Sequence, residues 1–574
     1  MRTLARRLSA HDRDDRGVAL LVVIGIGMLM LMLVATGLTV AISGLKKTDT
    51  DQDWNGAMDA AYAGVEEYQS RLAGDSSYYL YGNPAAAFSK LPISSSKVKL
   101  PTIPNPAFGV SASDAWAMVP ESSPVASFRY EVDNSHYAEN GRIRIRSTGR
   151  VGNVTRSIVA DLKQDGFIDY LWFVDYEVQD PQFTNRAYCA VHAWEGRDSG
   201  CESINYGADD IYEGPAHSND TMRVCYTQFK GTVRSANPNN PLVVTPSGCS
   251  SGRFASPPTR SPEIEMPITN AEMRKETRND LPAEVAFPGC LYTGPTVITF
   301  TSDGKMNVRS PWTKATNISA NTTAGSNPGQ CGAPGTGAKA LGSPEGATMS
   351  VLPANLIYVQ DVPADATDVN GRTGIPSGFT CLGGTNPGWS FGTFRFPRAT
   401  EQLPQYATTA NPAYGCRNGD VFVQGEFKGA MTIAAENYLY VTGNLTYVDE
   451  AVDILGLVGN GAVWVWNPMT NNTPILSTDR TIEAAILSVS HTFQVQNFDV
   501  SPASRGTLTV FGSIAQKFRG TVSRGSAGYI KDYRYDERFL YMAPPKFLSP
   551  VSSTYGVTQF AGVAAAFSAN GAPL

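Results

Sequence analysis

Hydrophobic and polar positions divide the chain into four textures. From Val18 to Leu45 there is no Asp, Glu, Lys or Arg, and at about 1.5 Å per helical residue this run is long enough to cross a bilayer. A basic leader with Arg2, Arg6, Arg7, Arg13 and Arg16 precedes it, and Lys46 and Lys47 close it. The excess of positive charge keeps the leader cytoplasmic. Beyond the run, Trp54, Met58, Ala61, Val65, Tyr68 and Leu72 recur at steps of three and four, which places them on one face of a helix continuing out of the bilayer. A plain signal anchor followed by an ordinary juxtamembrane helix gives the same pattern.

The period then changes. Phe128–Val132, Arg142–Ser147 and Thr155–Leu162 alternate polar and apolar residues and are separated by turn residues, which predicts an antiparallel meander. Arg142, Arg144 and Arg146 read as the solvated face of an edge strand. The aromatic run from Phe167 to Tyr176 is expected to be core. Ser235–Pro267 and Ala315–Ser350, dominated by Asn, Pro, Gly, Ser and Thr, are expected loops. From Gly419 onward, short apolar pieces such as Val421–Val423, Met431–Ile433, Leu455–Val458 and Leu508–Val510 are punctuated by Gly425, Gly429, Gly443, Gly459, Gly461, Gly506 and Gly512. Short strands without helical period predict a β-solenoid, in which each coil stacks on the last; a β-sandwich gives similar pieces.

The apolar run alters how composition is read. Removing residues 1–17 takes five Arg and three Asp, leaving 41 basic against 49 acidic residues and a net charge near −8, so no basic face for nucleic acid is expected. All eight cysteines, Cys189, Cys201, Cys225, Cys249, Cys290, Cys331, Cys381 and Cys416, lie beyond the membrane run and include no Cys-x-x-Cys pair. Disulfides outside the membrane follow, with neighbour pairing as the default. Reduced cysteines of a cytosolic protein would contradict this topology.

At 574 residues several domains are expected. The fold class is α+β: a long N-terminal transmembrane and amphipathic helix with a small antiparallel sheet, then a large mainly-β region, expected as a β-solenoid with disulfides. The segments are a leader (1–17), the long helix (18–74, with 18–45 transmembrane), a β-meander (75–164), a cysteine-containing β-rich region (165–417), a glycine-punctuated short-strand region (418–547) and an uncharged tail (548–574), which is otherwise a strand awaiting a partner.

Gly17 followed by Val18-Ala19-Leu20-Leu21-Val22, together with Ala57-Met58-Asp59-Ala60-Ala61-Tyr62-Ala63-Gly64-Val65-Glu66, resembles the N-terminus of type IV pilin-like proteins, above all PilX-type minor pilins and the large tip pseudopilin of type II secretion. The resemblance implies that a prepilin peptidase cuts after Gly17 and that the new amine of Val18 is methylated. It also implies that Val22, Trp54, Met58, Ala61, Val65, Tyr68 and Leu72 form the filament-contact helix. Val18 departs from the usual Phe or Met. Val22 replaces the Glu that major pilins carry at the fifth mature position. The implied partners are other pilin subunits, the peptidase, the inner-membrane pilus assembly machinery, and membrane lipid before assembly. The implied location is a single pass in the cytoplasmic membrane, then the pilus or cell surface, with a surface ligand the sequence does not name.

Gly214–Asp220, Gly419–Gly425, Thr507–Ile514 and Tyr535–Arg538 leading to Pro544-Pro545 are similar to a family of uncharacterised β-rich bacterial proteins that often carry a pilin-like N-terminus. This second resemblance implies fold and context without an activity.

Two clusters invite chemistry. His217-Ser218-Asn219-Asp220 carries nucleophile-, base- and acid-type residues, but consecutive residues of a strand point to opposite faces, so a hydrogen-bonded corner of stacked strands is the better reading. Asp361, Asp365, Asp368 and Asn370 before Gly371 offer oxygen ligands for calcium, without the EF-hand spacing. No other metal or cofactor is expected, and no catalytic residue is assigned. The competing function is a signal-anchored or secreted β-helix enzyme acting on polysaccharide, with Ala41-Ile42-Ser43 as its signal peptidase site.

Overall fold

The computed structural model describes residues 15–574 except 75, 91–97, 111–115, 138–141, 165, 208–209, 283–284, 286, 321, 384–387, 403–412, 477–478, 501–503, 541 and 551–554. Leader residues 1–14 lie outside this range. The chain divides into two compact units: one of Met1–Tyr137, Arg142–Lys163 and Tyr555–Leu574, the other of Ala138–Gly141 and Gln164–Thr554.

In the first unit, helix α1 (Asp15–Gly74) is continuous. Its segment Leu20–Ala41 has a mean hydropathy of 2.6 and none of it is buried in the chain. The later turns behave differently: Ala57, Ala61, Val65, Tyr68 and Leu72 are all buried, against a sheet in the order β1 (Ala117–Met118), β2 (Ala126–Asp133), β3 (Arg142–Val151), β4 (Val154–Gln164) and the C-terminal strand Tyr555–Val563. The meander β2–β3–β4 is antiparallel throughout. Helix and sheet meet at Gly149 of β3, where an added Cβ would stand 2.1 Å from the Ala57 carbonyl oxygen.

Strand β3 is central, between β2 and β4, which corrects the reading of its arginines as an edge face. Arg144 donates to both carboxylate oxygens of Asp161 at 2.7 and 3.0 Å, and Arg146 pairs with Glu131 across β2. Cross-strand charge pairs stabilise the sheet on the face opposite Ile143 and Ile145. Of the segment expected as a tail or a strand awaiting a partner, Tyr555–Leu574 belongs to this unit. Its strand lies beside β4, Arg129 donates to the Gly571 carbonyl at 3.0 Å, and Arg150 donates to that of Ala569 at 2.8 Å.

The second unit is built from parallel ladders. One ladder runs in space from Cys290–Thr293 through Asn355–Gln360, Ala430–Ala435, Ile454–Gly459, Arg480–Ser488 and Ser504–Phe518. It continues into β5 (Trp172–Tyr176), Ala216–Ser218, Val233–Ser235 and Thr259–Arg260. A second joins Thr296–Thr301, Val421–Phe427, Leu439–Tyr447, Val463–Val465 and Phe493–Val495. Successive strands within each of these ladders are parallel, whereas an antiparallel sandwich pairs its neighbours otherwise. At Gly425, φ is 115° and the ladder register shifts, a bulge that a side chain would oppose.

The spatial order is a rotation of the chain order. The chain enters at β5 in the middle of the first ladder and winds outward to Thr259–Arg260. A return segment then hydrogen-bonds past the other coils: Ser490 Oγ donates to the Ile268 carbonyl at 3.1 Å, and Asn270 Nδ2 donates to that of Ala435 at 2.8 Å. From Cys290 the chain winds back until Ser504–Phe518 pairs with β5. These ladders run through both 165–417 and 418–547.

Candidate functional site

Gly17 and Val18 lie within α1, with side chains outside the described residues. Val22 is 52% exposed and Trp54 50% exposed; the Trp54 ring lies 3.6 Å from the Arg156 guanidinium. Met58 is partly buried against the core of its own unit. Ala61, Val65, Tyr68 and Leu72 form that core. Their side chains are covered within their own unit.

The cysteines pair as neighbours: Cys189–Cys201, Cys225–Cys249, Cys290–Cys331 and Cys381–Cys416. No free cysteine is left.

His217, Ser218, Asn219 and Asp220 are fully buried. His217 stacks on Phe173 with ring centroids 5.4 Å apart, and its Nε2 lies 2.9 Å from Asn219 Oδ1. Burial pushes its pKa down to about 4. Asp220 accepts backbone N–H bonds from Glu177 at 2.9 Å and Ala193 at 2.7 Å, and pairs with Arg197. The cluster is a buried corner of the ladders in which His217 Nδ1 has no hydrogen-bond partner.

The calcium candidates do not converge. Asp361 accepts from Gly419 N, Asp365 from Thr367 N and Oγ1, and Asp368 from Asn370 N. Asn370 Oδ1 accepts from Lys314 N and Ala315 N at 2.8 and 2.9 Å. Asp365 and Asp368 cap local turns, whereas Asp361 and Asn370 accept from backbone far away in the chain. Near Asp361, Asp420 is wholly buried, and burial pushes its carboxyl up to about 8.

Three residues not singled out by the sequence do come together. The ligand atoms of Asp175, His192 and Glu263 all lie within 4.8 Å of one another. Asp175 is on β5, His192 precedes a short 3-10 turn at Ala193–Glu195, and Glu263 opens the return segment. Asn219 aligns two of them: its Nδ2 donates to Asp175 Oδ1 at 2.9 Å and to the Ile264 carbonyl at 2.8 Å, and its Oδ1 accepts from Ile264 N at 3.0 Å. His192 stacks on Tyr176 and on Trp194, with centroids 4.5 and 5.0 Å away. No local motif records this grouping; only the charged residues flanking the aromatic run and the His-Ala-Trp-Glu stretch hinted at it.

No protein-family model matches the chain, and no curated protein matches it. Among solved structures, the competence-associated pilin ComZ from Thermus thermophilus is similar at 11% identity and a TM-score of 0.25, over 89% of this chain and 98% of that one. A likeness at that score carries no functional argument.

Proposed function

We propose that this chain is a minor-pilin-like subunit of a type IV pilus or related filament. Its large β-solenoid lies outside the cell for adhesion, tip capping or assembly initiation, and it acts without catalysis. The observation that carries the reading is α1: the exposed apolar segment Leu20–Ala41 runs without a break into turns that pack on an antiparallel sheet. An apolar helix left bare by its own chain calls for a lipid or helical environment. The cytoplasmic membrane supplies one before assembly, and neighbouring pilin helices supply the other afterwards. Disulfide pairing of every cysteine supports an oxidising location for the second unit.

Val22 supports the tip. By resemblance, the carboxylate of the fifth mature residue compensates the buried α-amine of a neighbouring subunit, and an uncompensated buried charge costs several kcal/mol. A subunit with Val22 offers no carboxylate to a subunit above it, and at the tip none is needed.

N-terminal sequencing of the mature protein tests the reading. The expected first residue is Val18, methylated, with the leader retained when Gly17 is replaced by a bulky residue. A mature chain beginning at Gly44, or an intact leader in cells with active prepilin peptidase, defeats it. Gold labelling of sheared filaments separates tip from shaft.

A further inference from the structure

We propose that Asp175, His192 and Glu263 bind one divalent transition-metal ion of the zinc class, with water completing the coordination. His192 Nε2 stands 3.5 Å from Asp175 Oδ1. Donors about 2.1 Å from a tetrahedral ion are separated by about 3.4 Å, so this edge of the site already has the required length.

The imidazole is set up as a ligand. His192 is only 5% exposed, and its Nε2 is buried without a hydrogen-bond partner, a costly state for a polar atom. Its other nitrogen, Nδ1, lies 3.2 Å from Glu195 Oε2. A carboxylate at Nδ1 holds the proton there and leaves the Nε2 lone pair facing Asp175 and Glu263, the usual outer-shell arrangement of metal-binding histidine. Stacking on Tyr176 and Trp194 fixes the ring plane.

The carboxylates are positioned as well. Asn219 holds Asp175 directly and holds the backbone of Ile264, next to Glu263. One nitrogen and two carboxylates suit zinc and its first-row neighbours; calcium takes six to eight oxygens and is not served by an imidazole. Glu263 is exposed, so an ion is reached from solvent and keeps an open position. Because Glu263 begins the return segment, the ion clips that segment to β5.

The test uses full-length protein in detergent, stripped with EDTA and dialysed, then titrated with ZnCl2 by calorimetry and with CoCl2 by visible absorption. One equivalent of zinc is expected, with cobalt bands of a low-coordinate site that zinc displaces and calcium does not. His192→Gln and Glu263→Gln should each weaken zinc by at least about tenfold, while His136→Gln leaves it unchanged. At one zinc concentration, zinc should also raise the unfolding midpoint of the wild type more than that of Glu263→Gln. Because Glu263 is exposed, that variant decides the matter even where His192→Gln fails to fold. Absence of a saturable equivalent, or a zinc affinity that Glu263→Gln leaves unchanged, overturns the proposal and leaves His192 as an imidazolium paired with Asp175.

Discussion

Arg519 and Glu177, 342 positions apart in the chain, form an ion pair of 2.9 Å whose side chains are 2% and 0% exposed. Glu177 also accepts from Tyr206 Oη at 2.7 Å, and the guanidinium lies 3.3 Å from the Tyr206 ring. The pair lies where Ser504–Phe518 meets β5, with Ile514 opposite Trp172. It fastens the last coil wound to the first.

Removing one partner strands the other charge in the core. Arg519→Leu should destabilise the second unit by about 3–5 kcal/mol. The exposed pair Arg524–Glu202 is the comparison: Arg524→Ala should cost less than about 1 kcal/mol. Urea unfolding midpoints of the two variants measure the difference, and equal midpoints would refute the seam.

A second prediction concerns the helix–sheet contact of the first unit. A Cβ at Gly149 meets backbone on two sides, the Ala57 oxygen at 2.1 Å and the Ala61 nitrogen at 2.3 Å, whereas one at Gly562 meets nothing within 4 Å. Gly149→Ala should therefore cost about 1–3 kcal/mol, because backbone has to move. Gly562→Ala should change stability by less than about 0.5 kcal/mol. Thermal unfolding compares them; similar midpoints would mean that α1 sits farther from β3.

Sequence patterns identified what depends on neighbours in the chain. Alternation located β2, β3 and β4, and cysteine order matched the bridges, because each reflects contacts closed within a few dozen residues; the aromatic run from Phe167 was expected only as core, and its Phe167, Trp172 and Phe173 are buried. The three-and-four spacing of Ala61, Val65, Tyr68 and Leu72 showed that they share a face. It did not show that the chain's own sheet covers that face. The ladder order was hidden for a different reason. Trp172 pairs with Ala216, next in the chain, and also with Ile514; nothing local to Ile514 records that the return segment carries the chain past its own coils. The grouping of Asp175, His192 and Glu263 was hidden by the same topology.

A third prediction concerns the bridges. Cys290 and Cys331 are fully buried, and Tyr292 Oη donates to the Cys331 carbonyl at 3.0 Å. Mass analysis of exported, denatured protein should show no alkylation before reduction and eight alkylated thiols after it. The double variant Cys290→Ala/Cys331→Ala should lose about 2–5 kcal/mol, read from its urea midpoint. Free thiols in the unreduced protein would contradict the pairing.

The last prediction follows from Asp420. Its Oδ1 accepts from Asn437 Nδ2 at 2.6 Å and Tyr438 N at 3.1 Å, while Oδ2 is buried without a partner. Burial, with a smaller push from Asp361, raises the carboxyl from 3.8 to about 8. The folded chain thus keeps a proton that the unfolded chain releases at a much lower pH. Between those two values the folded state binds more protons, so raising the pH favours unfolding by up to ~1.4 kcal/mol per pH unit from this group. The contribution is fully present below 3.8 and lost as pH rises through 8. Asp420→Asn keeps a neutral acceptor for Asn437 and Tyr438 and removes the titration. Urea midpoints at about pH 5 and about pH 9 should therefore fall further in the wild type than in the variant. His217, whose depressed pKa acts in the opposite direction on the acid side, is common to both proteins and cancels in the difference. If the two proteins respond to pH in parallel, Asp420 is not the group that carries the proton.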